Sequence, residues 1–186
     1  KNVELGPECI LGTIGGGSAL VELVADRVMA ALCAEAVGVM SRVQEMTLEY
    51  MKTRTQFEMP ISRFQALQHR AVDMFVHIEQ AKSMAILAAG SVNSDDVLQR
   101  RRAVAAAKEF IGRVGRLVGQ EAIQLHGGMG MTDELAVGHY FKRLTAIDVL
   151  FGDAAHQRAE FSKMMEEKKD NLAESFVQPR KAWKQI

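Results

Sequence analysis

Few residues in this chain are spaced for chemistry by themselves. Asp153 and His156 stand three apart, the spacing that puts a carboxylate and an imidazole on one helix face. A transition-metal site needs a fuller ligand set, and no Glu-x-x-His pair occurs, so no metal is expected. Gly15-Gly16-Gly17 has no following Lys-Ser/Thr, and Gly128-Met129-Gly130 lacks a third glycine and a preceding strand, so neither reads as a phosphate loop. No Ser-His-Asp or Cys-His spacing supports a nucleophile. Two segments carry more polar and glycine content than a packed domain requires. One is Arg54-Thr55-Gln56-Phe57, and the other runs from Gln124-Leu125-His126-Gly127-Gly128 to Thr132. Taken alone, Arg54 could complement a helix C-terminus and the glycines could form a C-cap.

The elements that must position these segments follow from where the breakers fall. Five of the 15 glycines lie in residues 1–17, and Pro60 is the only proline between residues 18 and 178. Strands would need turn residues every 8 to 12 positions, so the chain is all-α. Val21, Val24, Val28, Leu32, Ala36, Val39, Val43, Met46 and Tyr50 form the stripe of a long first helix. Pro60, then Ser62 with Gln65 three residues on, predicts a capping box with Ile61 stapled to Ala66. The second helix then carries Phe64, Leu67, Ala71, Met74, Phe75, Ile78, Ala81, Ala85 and Leu87 as its apolar face. Ser94, Asp95 and Asp96 open a third helix, which ends at the Gly127-Gly128 break. Thr132 with Asp133 and Glu134 predicts a short fourth helix, and a fifth is expected from about Ile147 to Lys169. The architecture expected is an up-and-down four-helix bundle. Its limits are an extended segment and hinge at 1–17, a bundle at 18–165 and a charged tail at 166–186.

Composition narrows the function classes. The 186 residues hold 23 Lys+Arg against 23 Asp+Glu, which argues against binding to nucleic acid or an anionic membrane. Charges interrupt every long apolar stretch, so no membrane span is expected. Two cysteines, Cys9 and Cys33, read as reduced thiols of a cytoplasmic protein. A start at Lys1 without a methionine suggests the C-terminal part of a longer chain.

The run YMKTRTQFEMPISRFQALQHRAVDM, followed by QEAIQLHGGMGMTDELAVGHYFKRLTAIDVLFGDAAHQRAEF, resembles the C-terminal helical domain of the acyl-CoA dehydrogenases. Residues 1–17 resemble the last strand of that family's middle β-domain. The resemblance implies an FAD flavoenzyme that oxidises an acyl-CoA thioester to the 2,3-enoyl form. It also implies a dimer or tetramer and an electron-transfer protein as acceptor. It maps flavin contacts onto Arg54, Thr55, Gln56 and Phe57, then Phe64 and Gln65. Gln124, Leu125, His126, Gly127 and Gly128 match the Gln-x-x-Gly-Gly loop that meets the dinucleotide of a neighbouring subunit. An arginine fork suits a pyrophosphate, and glycines let backbone N–H groups approach it.

One departure matters. The family's usual catalytic base is a Glu, and its position here is occupied by Phe151. A second subgroup's Glu position maps to Val28; Asp26, two residues away, lies roughly 200° round the helix. The catalytic base is therefore unassigned, with Asp26 and Asp153 as candidates. Three readings stay open: a dehydrogenase with an unconventional carboxylate, the base-lacking subunit of a heteromeric enzyme, or an assembly module that has lost flavin.

Overall fold

The computed structural model describes residues 2–177, and side chains as far as residue 166. Residues 2–16 contain one 3-10 turn, Pro7–Cys9, and no strand. Helix α1 spans Gly17–Thr53, and its 37 residues make a rod about 55 Å long. A two-stranded hairpin follows, β1 (Thr55–Gln56) and β2 (Met59–Pro60), and then the 3-10 turn Ile61–Arg63. Three helices complete the bundle core: α2 (Gln65–Ser91), α3 (Val97–His126) and, after the 3-10 turn Gly127–Met131, α4 (Ala136–Val149). The last helix, α5, spans Ala154–Val177. The molecule is an all-α bundle in which α3 is central, packing against each of the other four helices. Among the described residues, no helix is long and apolar enough to cross a membrane.

The buried stripes keep helical period. In α1 they are Ala30, Cys33, Ala36, Met40, Val43, Thr47 and Met51. In α2 they are Ala71, Met74, Ile78, Ala81, Ala85 and Ala88. Spacings of three and four put each set on one face, and the small residues of α2 let it approach α1 and α3 closely. Some expected core positions prove otherwise. Val21 is 68% exposed and Phe75 51% exposed, and Val24 and Leu87 are also exposed. The reason is that apolar residues occur nearly all round these helices, so periodicity alone does not single out the covered face.

Element boundaries also shift. The capping box does not form: Ser62 lies within the 3-10 turn, and Phe64 is the N-cap of α2 without a side-chain cap. Buried Ile61, whose N–H donates to the Arg54 carbonyl at 2.9 Å, ties this turn to the core before the helix can begin. Asp96 does cap α3, its carboxylate accepting from the Gln99 N–H at 3.0 Å. Helix α4 starts at Ala136, because Thr132 closes the preceding turn by donating to the Met129 carbonyl at 2.9 Å. Ile147 is buried inside α4, and α5 starts seven residues later at Ala154. The left-handed residues Phe151 and Gly152 make that break. Within the expected tail, α5 continues to Val177, and 178–186 lie outside the described residues.

Candidate functional site

The two polar segments meet at one end of the bundle, where α1 and α3 both stop. Arg54 is the C-cap of α1, its N–H donating to the Tyr50 carbonyl at 2.8 Å. Beyond it the hairpin pairs Thr55 with Pro60 and Gln56 with Met59, leaving Phe57 and Glu58 as a two-residue turn. Both turn residues have positive φ, 54° and 65°, the type I′ conformation usually filled by Asn-Gly. Phe57 is 83% exposed there, with its ring edge-on to Phe64 at 6.0 Å. A bulky residue held left-handed and uncovered is a form of strain that concentrates at ligand sites.

Helix α3 reaches the same place. His126 stacks on Tyr50 with ring centroids 4.5 Å apart. Its Nδ1 lies 2.8 Å from the Ala122 carbonyl, which can only accept, so Nδ1 carries the proton. Gly127, at φ 59°, turns the chain away. A Cβ added to Gly127 or Gly128 would meet nothing within 4 Å. Packing within this chain therefore does not require Gly128, whereas close approach of a ligand to the backbone does.

Together these residues bound a cleft of about 410 Å³, lined by Tyr50, Arg54, Gln56, Ile61, Gln124, Leu125, His126, Gly127, Gly128 and Met129. Seven of the residues expected from sequence thus share one surface. Thr55, Phe57, Phe64 and Gln65 do not line it. Thr55 and Phe57 project on the hairpin, Phe64 packs on its tip and Gln65 is exposed at the start of α2. Among the described residues no carboxylate pairs with Arg54, so its guanidinium keeps its donors for another group. The fit to a dinucleotide is good: a fork of cationic donors, an amide, aromatic surface and open glycine backbone.

Residues 15–165 match the family described as "Acyl-CoA dehydrogenase, C-terminal domain". The chain belongs to the acyl-CoA dehydrogenase family. It is similar to acyl-CoA dehydrogenase IpdE2 of Mycolicibacterium smegmatis, 33% identical over 134 residues, which are 72% of this chain and 41% of that protein. Among solved structures it resembles PigA with FAD and proline, at TM-score 0.75 and 27% identity, covering 85% of this chain and 41% of that one. It also resembles a variant of the Tcur3481-Tcur3483 steroid ACAD, at TM-score 0.74 and 27% identity, covering 78% and 40%. The chain thus spans about two fifths of the length of these relatives.

A second site lies where α1, α3 and α5 converge. A pocket of about 140 Å³ there is lined by Glu22, Asp26, Met29, Arg101, Phe151, His156, Gln157 and Glu160, among others. Phe151 and the candidate Asp26 therefore face one space. Asp26 is 4% exposed, and its Oδ2 accepts from Arg100 Nε at 2.8 Å. Asp153 lines a neighbouring cleft instead, and its Oδ1 accepts from the His156 N–H at 2.9 Å as the cap of α5. Among the described residues no group of three or more His, Cys, Asp or Glu could hold a metal ion.

Three participants escaped the sequence reading. Tyr50 was expected only as apolar stripe, whereas its ring orients His126. Gln157 is 4% exposed and its Nε2 donates to the Phe151 carbonyl at 2.7 Å. Lys108 is fully buried, and its Nζ donates to the carbonyls of Asp148 at 2.7 Å and Gly152 at 3.1 Å. Burial pushes the Lys108 ammonium below the ordinary lysine range, only partly countered by nearby Asp148. A signal for it did exist: Lys108 stands between Val104 and Ile111 at core spacing, a cation between two apolar core positions.

Proposed function

We propose that this chain is the FAD-binding and oligomerisation domain of an acyl-CoA dehydrogenase that oxidises an acyl-CoA thioester to the 2,3-enoyl-CoA. Within that enzyme it is the subunit that lacks the base, working beside a second chain that supplies it. The observation that carries this reading is the contrast between the two sites. The cleft keeps Arg54, Gln124, Gly127 and Gly128 together, while the position that the resemblance assigns to the base is a phenylalanine, Phe151.

In this reading Arg54 pairs with the pyrophosphate, and Gly127 and Gly128 give the dinucleotide access to backbone donors. Gln56 and Gln124 offer amides to its polar edges, the Ala122 carbonyl keeps a proton on His126 Nδ1, and Tyr50 orients the His126 ring. The hairpin carries Phe57 outward, toward a cofactor shared with a second subunit. When bound, FAD supplies a two-electron acceptor for the substrate hydride. Removal of the α-proton needs a carboxylate of suitable basicity at the thioester. Phe151 has no such group, Asp26 is engaged by Arg100, and Asp153 is engaged as a helix cap. A solved relative whose name joins two components and a steroid supports both the heteromeric assembly and a bulky acyl group. An electron-transfer protein as acceptor and a cytoplasmic setting complete the reading; the free thiols Cys9 and Cys33 support the latter.

One observation favours a second reading, in which this chain is self-sufficient: Asp26 lines the same pocket as Phe151. The two readings separate on purification of the full-length protein alone and with the product of the adjacent gene. Flavin absorbance should be present in the complex and should bleach on addition of acyl-CoA. Bleaching by the lone chain would establish the self-sufficient reading instead, and absence of flavin from both preparations would overturn both.

A further inference from the structure

His126 is the last residue of α3, and its two ring nitrogens are placed unequally. Nδ1 is held by the Ala122 carbonyl at 2.8 Å. Nε2 has no hydrogen-bond partner among the described residues, and the ring lines the cleft together with Arg54, Gly127 and Gly128. Because the Ala122 carbonyl already secures the Nδ1 proton, any change of charge on this ring is a change at Nε2.

Three features of the fold favour the charged ring. The carbonyls at the C-terminus of α3 present the negative end of the helix dipole. The stacked Tyr50 ring, with centroids 4.5 Å apart, offers its electron-rich face to a cation. The Ala122 carbonyl accepts from Nδ1 in either state, so protonation of Nε2 breaks no hydrogen bond. Two features oppose it: the residue is only 4% exposed, and Arg54 brings a second cation to the same cleft. Besides His126, only Arg54 and Tyr50 of the cleft lining titrate or carry charge. Both come from α1 and its C-cap; Gln56 of the hairpin, Ile61, Gln124, Leu125 and the turn from Gly127 to Met129 add none.

An anion tips this balance. A pyrophosphate between Arg54 and the glycine backbone brings two negative charges, one to answer the guanidinium and one more beside the imidazole. Water is largely displaced there, so the attraction is weakly screened. We propose that binding of the dinucleotide in this cleft is coupled to uptake of a proton from solvent at His126 Nε2. A ligand that favours the protonated ring binds more tightly when the ring is already protonated. Cofactor affinity therefore rises as pH falls through the histidine range and is lost as pH rises through it. The identity of the ligand rests on the flavin reading above.

The test titrates FAD into the full-length apoprotein, prepared with its partner subunit. Calorimetry at pH 7.5 in two buffers of different ionisation enthalpy, PIPES and Tris, counts the protons taken up. The parent should take up about 0.3 proton or more per FAD, and its dissociation constant should fall about threefold or more from pH 8 to pH 6. His126→Gln keeps a polar side chain that does not titrate, so uptake should vanish and affinity should stay level with pH. His126→Phe, which keeps a ring against Tyr50, provides the same reading if His126→Gln does not fold. No uptake by the parent, uptake by a folded variant equal to the parent's, or an affinity that weakens toward pH 6 overturns the proton coupling. FAD binding without this uptake leaves the flavin reading in place, whereas failure of FAD to bind at any pH overturns that reading and the proton coupling together.

Discussion

Asp26 on α1 and Arg100 on α3 form a buried ion pair, Oδ2 to Nε at 2.8 Å, with side chains 6% and 8% exposed. Arg100 also donates through Nη1 to the Ser94 carbonyl at 3.2 Å, so the pair fastens the start of α3 to α1. Removing one member leaves a buried charge without its partner. Asp26→Ala should lower stability by about 3–5 kcal/mol. Chemical denaturation measures the loss, and an unaltered midpoint together with lost turnover would instead assign Asp26 to catalysis.

Arg54 stands in the cleft without a carboxylate partner among the described residues. If it grips a pyrophosphate, Arg54→Ala removes charge-assisted hydrogen bonds of about 1.5–3 kcal/mol. Flavin affinity should fall about 10- to 100-fold, read by titration of apoprotein. Helix content should be unchanged, because Arg54 contributes to the fold through its backbone.

Gly112 and Gly115 of α3 differ in what a methyl group would meet. At Gly112 a Cβ would lie 2.2 Å from Asp148 Oδ1, an atom already accepting the Ala154 N–H at 3.2 Å. At Gly115 the nearest atom is Leu144 Cδ2 at 3.4 Å. Alanine gains up to about 1 kcal/mol of helix propensity at either position. Overpacking of about 1–3 kcal/mol outweighs that gain only at Gly112. Thermal melts should show Gly112→Ala lowered by several degrees and Gly115→Ala unchanged or raised.

Burial pushes the Cys33 thiol from 9.0 up to about 12, against a weaker pull from Lys108, while Cys9 is exposed. Iodoacetamide at pH 8 should modify Cys9 and spare Cys33 until the chain unfolds, as peptide mapping would show. The raised value also sets a direction with pH. Between 9.0 and about 12 the folded state keeps a proton that the unfolded state releases, so this contribution to stability is lost as pH rises through that window. A Cys33→Ala variant should show a weaker decline in melting temperature over the same range.

The helical class, the α3 cap at Asp96 and the two cleft segments were legible in the sequence, because periodicity, capping and short motifs are local properties. Boundaries were less so. Ser62 has the residue type of a cap, but the hairpin closed by Arg54 and Ile61 delays the helix to Gln65. Ile147 is apolar enough to begin a helix, but the left-handed Phe151 and Gly152 move that start to Ala154.

Sequence alone determined that this chain is helical and that Arg54 and Gln124 to Gly128 form a pair of polar segments. Only the tertiary structure decided what those residues face. It set Tyr50 on His126, turned Asp26 onto Arg100 across 74 residues of chain, and buried Lys108 beneath the Phe151 turn. The physical reason is that a side chain's role depends on partners brought to it by helix packing, and neither spacing nor propensity encodes which distant residue arrives.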